Sequence, residues 1–207
     1  MPGQVQIFPS ITVPIPFDAI YRRLGYKRGI TQVDKRSGEE IEQHIDYALS
    51  LISLKGAGRR VLLREASAHT VVLETGNQFT REKLARFLKG CGEILLMGAT
   101  AGDAVMEAIR SDTEGEEMTR GVVMDAAASE MADAALDWIA GYFSGLLTRE
   151  NAHLTKGRFS AGYGDFLLEN QRAMHHLLEL DRIGVTINEN YILIPEKSVT
   201  AVMGIQR

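Results

Sequence analysis

The sequence predicts an α+β fold, a mixed or antiparallel sheet packed with helices, and three observations carry that expectation. Short β-rich runs and helical patterns follow one another without the strict strand–helix alternation of a parallel α/β sheet. Two of those runs, "RRVLLRE" and "HTVVLET", are separated by only a few small and polar residues, as neighbouring strands would be. One long stretch, Glu116 to Leu147, keeps apolar and small residues at helical spacing throughout.

In chain order, Pro and Gly punctuate the start as far as Gly29, leaving room for a short helix over Phe17 to Leu24. Ser37-Gly38-Glu39-Glu40 fits a capping box, and Ile41, Ile45, Ala48, Leu49 and Ile52 follow at helical spacing, so a helix to about Leu54 is expected. Gly56 and Gly58 are expected to end it. After the strand pair, Thr80 is placed to cap a helix through Leu88, and "EILLMG" after Gly92 reads as a buried strand. Gly98 to Gly102 reads as a glycine loop leading into a helix from Asp103. At the far end "VTINENYILI" and "SVTAVMGI" flank Pro195-Glu196-Lys197, the pattern of a hairpin.

A chain of 207 residues is expected to form a single unit, 1–207, in which 1–57 is a largely helical N-terminal portion. The net charge of -4 and scattered basic pairs, Arg22-Arg23 and Arg59-Arg60, argue against a nucleic-acid surface, which needs clustered cations. A lone cysteine, Cys91, excludes an internal disulfide and any multi-cysteine metal site, and is expected to be a buried small residue. The first residues have no basic stretch, and Pro9, Pro14 and Pro16 break their apolar run, so they do not read as a signal peptide. With no uncharged apolar run long enough to span a bilayer, no membrane segment is expected and the protein is placed in the cytoplasm.

Four constellations have chemical potential. Gly98 to Gly102 before a helix is either a plain turn or a phosphate cradle, although it lacks the Lys and Ser/Thr of a P-loop and Asp103 sits where phosphate would. Glu130, Asp133 and Asp137 share one helix face, as a solvated stripe or as carboxylates turned towards a cationic ligand. His175 and His176 are adjacent, so they point about 100° apart and read as surface or packing histidines, and no metal site is expected. The last is the loop Arg158-Phe-Ser-Ala-Gly162-Tyr163-Gly164-Asp165. Its arginine offers a planar fork, its tyrosine a flat face, and its glycines, with Gly157, close approach to a ligand, a set suited to a small zwitterion or nucleoside.

Arg158-x-x-x-Gly162-Tyr163, then a helix, then Asn188-Glu189-Asn190, Pro195 and Ser198-Val199-Thr200, resembles the activation (reactivation) domain of cobalamin-dependent methionine synthase. Upstream, "LKGCGEILLMGATAGDAVMEAIR" and "VMDAAASEMADAALDWI" look like the free-standing bacterial form, so the resemblance covers roughly residues 58 to 204. It implies an activation-domain-like fold that binds S-adenosylmethionine. It also implies docking on a corrinoid-binding methyltransferase, such as methionine synthase, which carries the cobalamin. There an electron from a donor such as flavodoxin and a methyl group from S-adenosylmethionine restore methylcobalamin, and no residue of this chain has a catalytic role of its own.

The residue roles implied by the resemblance are all S-adenosylmethionine-binding ones. Arg158 matches the motif arginine, Gly162 and Tyr163 its last two positions, and Ala161 the segment whose backbone contacts ligand. Asp133 falls where long members carry a helix glutamate, and Glu150 stands in for a further family acid at a different spacing. Ala161 and Gly164 replace the prolines that flank Gly-Tyr in long members, and no folate, homocysteine or cobalamin module is present. Alone, the chain is therefore not a complete methionine synthase. Two alternatives stay open: a docking module for a corrinoid protein that has lost the ligand pocket, and an unrelated nucleotide-binding enzyme using Gly98 to Gly102.

Overall fold

A computed structural model describes residues 3–26, 31, 34–80 and 82–207; Gly29, the end of the punctuated N-terminal stretch, lies outside them. In chain order the elements are β1 (Gln6–Phe8), α1 (Phe17–Arg23), α2 (Lys35–Leu51), β2 (Lys55–Ala66), β3 (Thr70–Leu73), β4 (Gln78–Thr80) and α3 (Glu82–Phe87). Then follow β5 (Glu93–Thr100), α4 (Asp103–Glu114), α5 (Met118–Thr148), β6 (His153–Leu154), α6 (Asn170–Leu178), a 3-10 turn (Leu180–Ile183), β7 (Thr186–Ile187), β8 (Leu193–Ile194) and β9 (Ser198–Gln206).

Among the described residues one antiparallel sheet runs β4-β3-β2-β5-β9-β6, with β1 paired to the start of β2. β5 is buried at every position because it lies between β2 and β9 with helices on both faces. Its side chains alternate: Leu95, Met97 and Ala99 join one apolar cluster with α1, α2, α4 and α5, while Ile94 and Leu96 join another with α3, α6 and the 3-10 turn. The sheet thus separates two apolar clusters, one on each face. Ala126, Ala127 and Ala128 are buried in the first cluster, where their small size lets α5 lie close to its neighbours. Among the described residues no helix is long and apolar enough to cross a membrane.

Several elements differ from expectation for identifiable reasons. Asp34, not Ser37, caps α2: its carboxylate accepts the Ser37 backbone N–H at 3.0 Å and the Ser37 hydroxyl at 2.7 Å. The helix ends at Leu51, and Ile52 is already extended. Gly56 and Gly58 do not terminate it; they belong to β2, where they make room for α5. A Cβ on Gly58 would lie 2.4 Å from Phe143 Cε2, and one on Gly56 2.6 Å from Ile139 Cδ1.

Gly98, Ala99 and Thr100 are likewise not a loop: they are strand residues bonded to β2 on one side and β9 on the other. Gly98 is small because a Cβ there would lie 2.7 Å from Leu180 Cδ2. The remaining N–H groups of the expected phosphate cradle are also engaged, Ala101 N with Lys197 O at 2.9 Å and Gly102 N with Thr100 Oγ1 at 3.1 Å. Thr80 closes β4, and the Lys83 N–H near the start of α3 donates instead to Asp165 Oδ2 at 2.8 Å. No hairpin forms around Pro195: β7 and β8 pair with each other across Asn188 to Ile192, and β9 leaves to join the main sheet beside β5. Cys91 is buried as expected, and burial raises its thiol pKa.

Candidate functional site

The loop between β6 and α6 is fastened at both ends and free in the middle. Phe159 exchanges two backbone hydrogen bonds with Val202 of β9, at 3.0 and 2.7 Å, and its ring lies 5.1 Å from that of Phe87. Phe166 is buried against Phe79, 5.2 Å between ring centres, and Asp165 reaches the Lys83 N–H. Between these anchors the chain folds on itself: Gly162 N donates to Phe166 O, Tyr163 N to Ser160 O, and Phe166 N to Tyr163 O. Gly162 has φ +90°, a region L side chains avoid, so this turn needs glycine. Tyr163 is left at the tip, 75% exposed.

Arg158, at the fixed start of the loop, points to α5. Its Nη1 donates to Asp137 Oδ1 and its Nη2 lies 3.2 Å from Asp133 Oδ1. The helix spacing that puts Asp133 and Asp137 on one face thus turns both towards one guanidinium. Glu130, the third member of the stripe, is used elsewhere and accepts from Arg23 Nε at 2.6 Å. Arg158, Asp133 and Tyr163 meet at a cleft of about 470 Å³ whose other walls include Lys83, Ser160 and Val199. A second cleft, about 230 Å³, shares Ser160, Tyr163 and Val199 with the first and is also lined by Ala161, Gln171 and Thr200. Gln171 is buried there and accepts from the Thr200 hydroxyl at 2.7 Å.

Five of the six residues expected at the site are therefore at or beside the loop: Arg158, Ala161, Gly162, Tyr163 and Asp133. Glu150 is not. It lies beyond the far end of α5, roughly 25 Å along the helix axis from Asp133, and both its oxygens accept from Arg60, at 2.6 and 2.8 Å. That guanidinium holds the Glu150 carboxyl below its ordinary range. Of the later resemblance elements, Val199 lines both clefts and Thr200 bonds Gln171, whereas Asn188 only shapes the β7–β8 turn, accepting from the Asn190 and Ile192 N–H groups. His175 Nε2 donates to Val185 O, 2.8 Å away, a packing role. Sequence reasoning missed Lys83 as a cleft residue; no motif or periodicity marks it, and only the tertiary fold brings α3 to the loop.

The fold so described is of the methionine synthase activation-domain-like class, α+β with an antiparallel sheet between helices. A solved structure that shows this is the crystal structure of the MetH reactivation domain bound to AdoHcy. The likeness has a TM-score of 0.69 and 13% identity, and covers 98% of this chain and 78% of that chain. No protein-family model matches the sequence, and no curated protein is significantly similar to it.

Proposed function

We propose that this chain is an S-adenosylmethionine-binding activation module that supports reductive remethylation of cob(II)alamin on a corrinoid methyltransferase, methionine synthase in the first instance, in trans. The observation that carries the reading is the meeting of Arg158, Asp133 and Tyr163 of the expected ligand set at one open cleft of ordinary small-molecule size. Asp133 supplies negative charge for a sulfonium or ammonium, Tyr163 a flat face for adenine, and Arg158 holds Asp133 in place and keeps further N–H groups for ligand oxygens. Gly162 turns the chain beside Ala161, which lines the second cleft. Glu150 is excluded from the ligand set, because it serves Arg60.

The chemistry belongs to the cobalamin carried by the partner, with an electron from a donor such as flavodoxin and a methyl group from S-adenosylmethionine. This chain binds and orients the methyl donor and offers a docking face. Such a role places it in the cytoplasm, beside its partner.

Isothermal titration with S-adenosylmethionine, with S-adenosylhomocysteine and ATP as controls, tests the reading. Saturable binding is expected, and Arg158→Ala should weaken it by about 1.5–3 kcal/mol, roughly ten- to a hundredfold. Unchanged affinity in the folded variant removes Arg158 from the site, and no binding by the wild-type chain removes the reading in favour of a docking module. Positive binding justifies a cob(II)alamin remethylation assay with a methionine synthase stripped of its own activation domain.

A further inference from the structure

Lys83 is a charged wall of the main cleft that no motif singles out. It forms no ion pair with another described residue; only its backbone is held, by Asp165 Oδ2 at 2.8 Å. That bond ties the start of α3 to the loop that carries Arg158 and Tyr163, so Lys83 keeps its place relative to them. Its aliphatic stem passes Gly164, where a Cβ would be 3.9 Å from Lys83 Cδ.

Arg158 is differently placed. Two carboxylates share its fork, so the cluster Arg158–Asp133–Asp137 carries a net negative charge. A ligand carboxylate brought to Arg158 would approach Asp133 and Asp137 as well, and like charges a few ångströms apart repel. The electrostatics of the cleft are thus divided: an acidic side at α5 and a basic side at Lys83, with Arg158 as the internal counter-ion of the first.

We infer that Lys83 is the carboxylate-recognition residue of this site, and that an α-amino-acid ligand lies across the cleft with its carboxylate towards Lys83 and its cationic groups towards Asp133. The inference rests on the proposal that the cleft binds S-adenosylmethionine, and it assigns that ligand's amino-acid end. It also predicts discrimination: a ligand lacking the carboxylate loses the Lys83 contact and nothing else.

The test is titration of wild-type, Lys83→Gln and Lys83→Arg chains with S-adenosylmethionine and with its decarboxylated analogue, which keeps sulfonium, ribose and adenine. Wild type should prefer S-adenosylmethionine about tenfold, the scale of one charge-assisted hydrogen bond. Lys83→Gln should lose that preference by weakening S-adenosylmethionine alone, and Lys83→Arg should restore most of it. If wild type binds S-adenosylmethionine and Lys83→Gln keeps the preference, or weakens both ligands equally, the inference falls and the binding proposal stands. If wild type binds neither, both fall together.

Discussion

Two arginines in this molecule each sit between two carboxylates, and their surroundings give them opposite uses. Arg60 on β2 bonds Glu93 at 2.8 and 3.1 Å and Glu150 at 2.6 and 2.8 Å, and Arg207 closes the group from the other side of Glu93 at 2.7 Å. The Arg60 and Glu93 side chains are only 6% and 5% exposed. Arg158 has the same complement of partners, but the side chains of Arg158, Asp133 and Asp137 are 26%, 44% and 71% exposed. A buried charge without its partner is costly, so the first cluster has little freedom to exchange partners. In the second, water already competes for every group, and a ligand can replace a contact at small cost. Similar residue chemistry therefore makes a buried clasp at one end of α5 and an open, exchangeable cluster beside a cleft along its side.

The sharpest way to break this contrast is to remove each arginine in turn. Arg60→Met should destabilise the fold by about 3 kcal/mol in urea unfolding, because Glu93 is left buried with only Arg207 to answer it. The double change Arg60→Met, Glu93→Leu should recover much of that loss, since a buried pair replaced by apolar side chains is often nearly neutral. Arg158→Ala should cost at most about 1 kcal/mol of stability, as exposed ion pairs do, while its effect falls on ligand affinity. Equal destabilisation by the two single variants would refute the distinction.

The parts of this architecture legible in the sequence are those where one residue pattern has one structural meaning. The centre of β5, Ile94 to Met97, stands out because a strand covered on both faces carries an unbroken apolar run, and α5 because its small and apolar residues keep helical period. Glycine has several meanings, and there the reading failed. Gly56, Gly58 and Gly98 carry the same local signal as turn glycines, yet each is small because a side chain from another element occupies its space. β1 has only three residues and is defined by its partner in β2. At the site, Arg158, Gly162 and Tyr163 are adjacent in sequence and were visible as a motif. The positions of Lys83 and Glu150 were not legible, because each depends on which distant element the residue meets: the loop for Lys83, Arg60 for Glu150.

A smaller effect sharpens the comparison further, through pH. The Glu150 carboxyl is held below its ordinary value of 4.5 chiefly by its hydrogen bonds to Arg60. A carboxyl whose folded pKa is depressed stabilises the fold above its unfolded pKa, and that contribution disappears as pH falls through the folded pKa. Glu150 should therefore add stability at neutral pH that fades below 4.5. Glu150→Gln should lower the urea midpoint slightly at about pH 6, and the difference between the two chains should shrink as pH falls below 4.5 towards the depressed folded pKa. Half-exposure of Glu150, 42% at the side chain, keeps the difference modest. Asp112, depressed by Arg120, retains its own acid dependence in both chains and serves as an internal reference. A constant offset between the two chains as pH falls from about 6 to well below 4.5 would show that Glu150 acts through packing rather than charge, and that the charged clasp at this end of α5 rests on Arg60, Glu93 and Arg207.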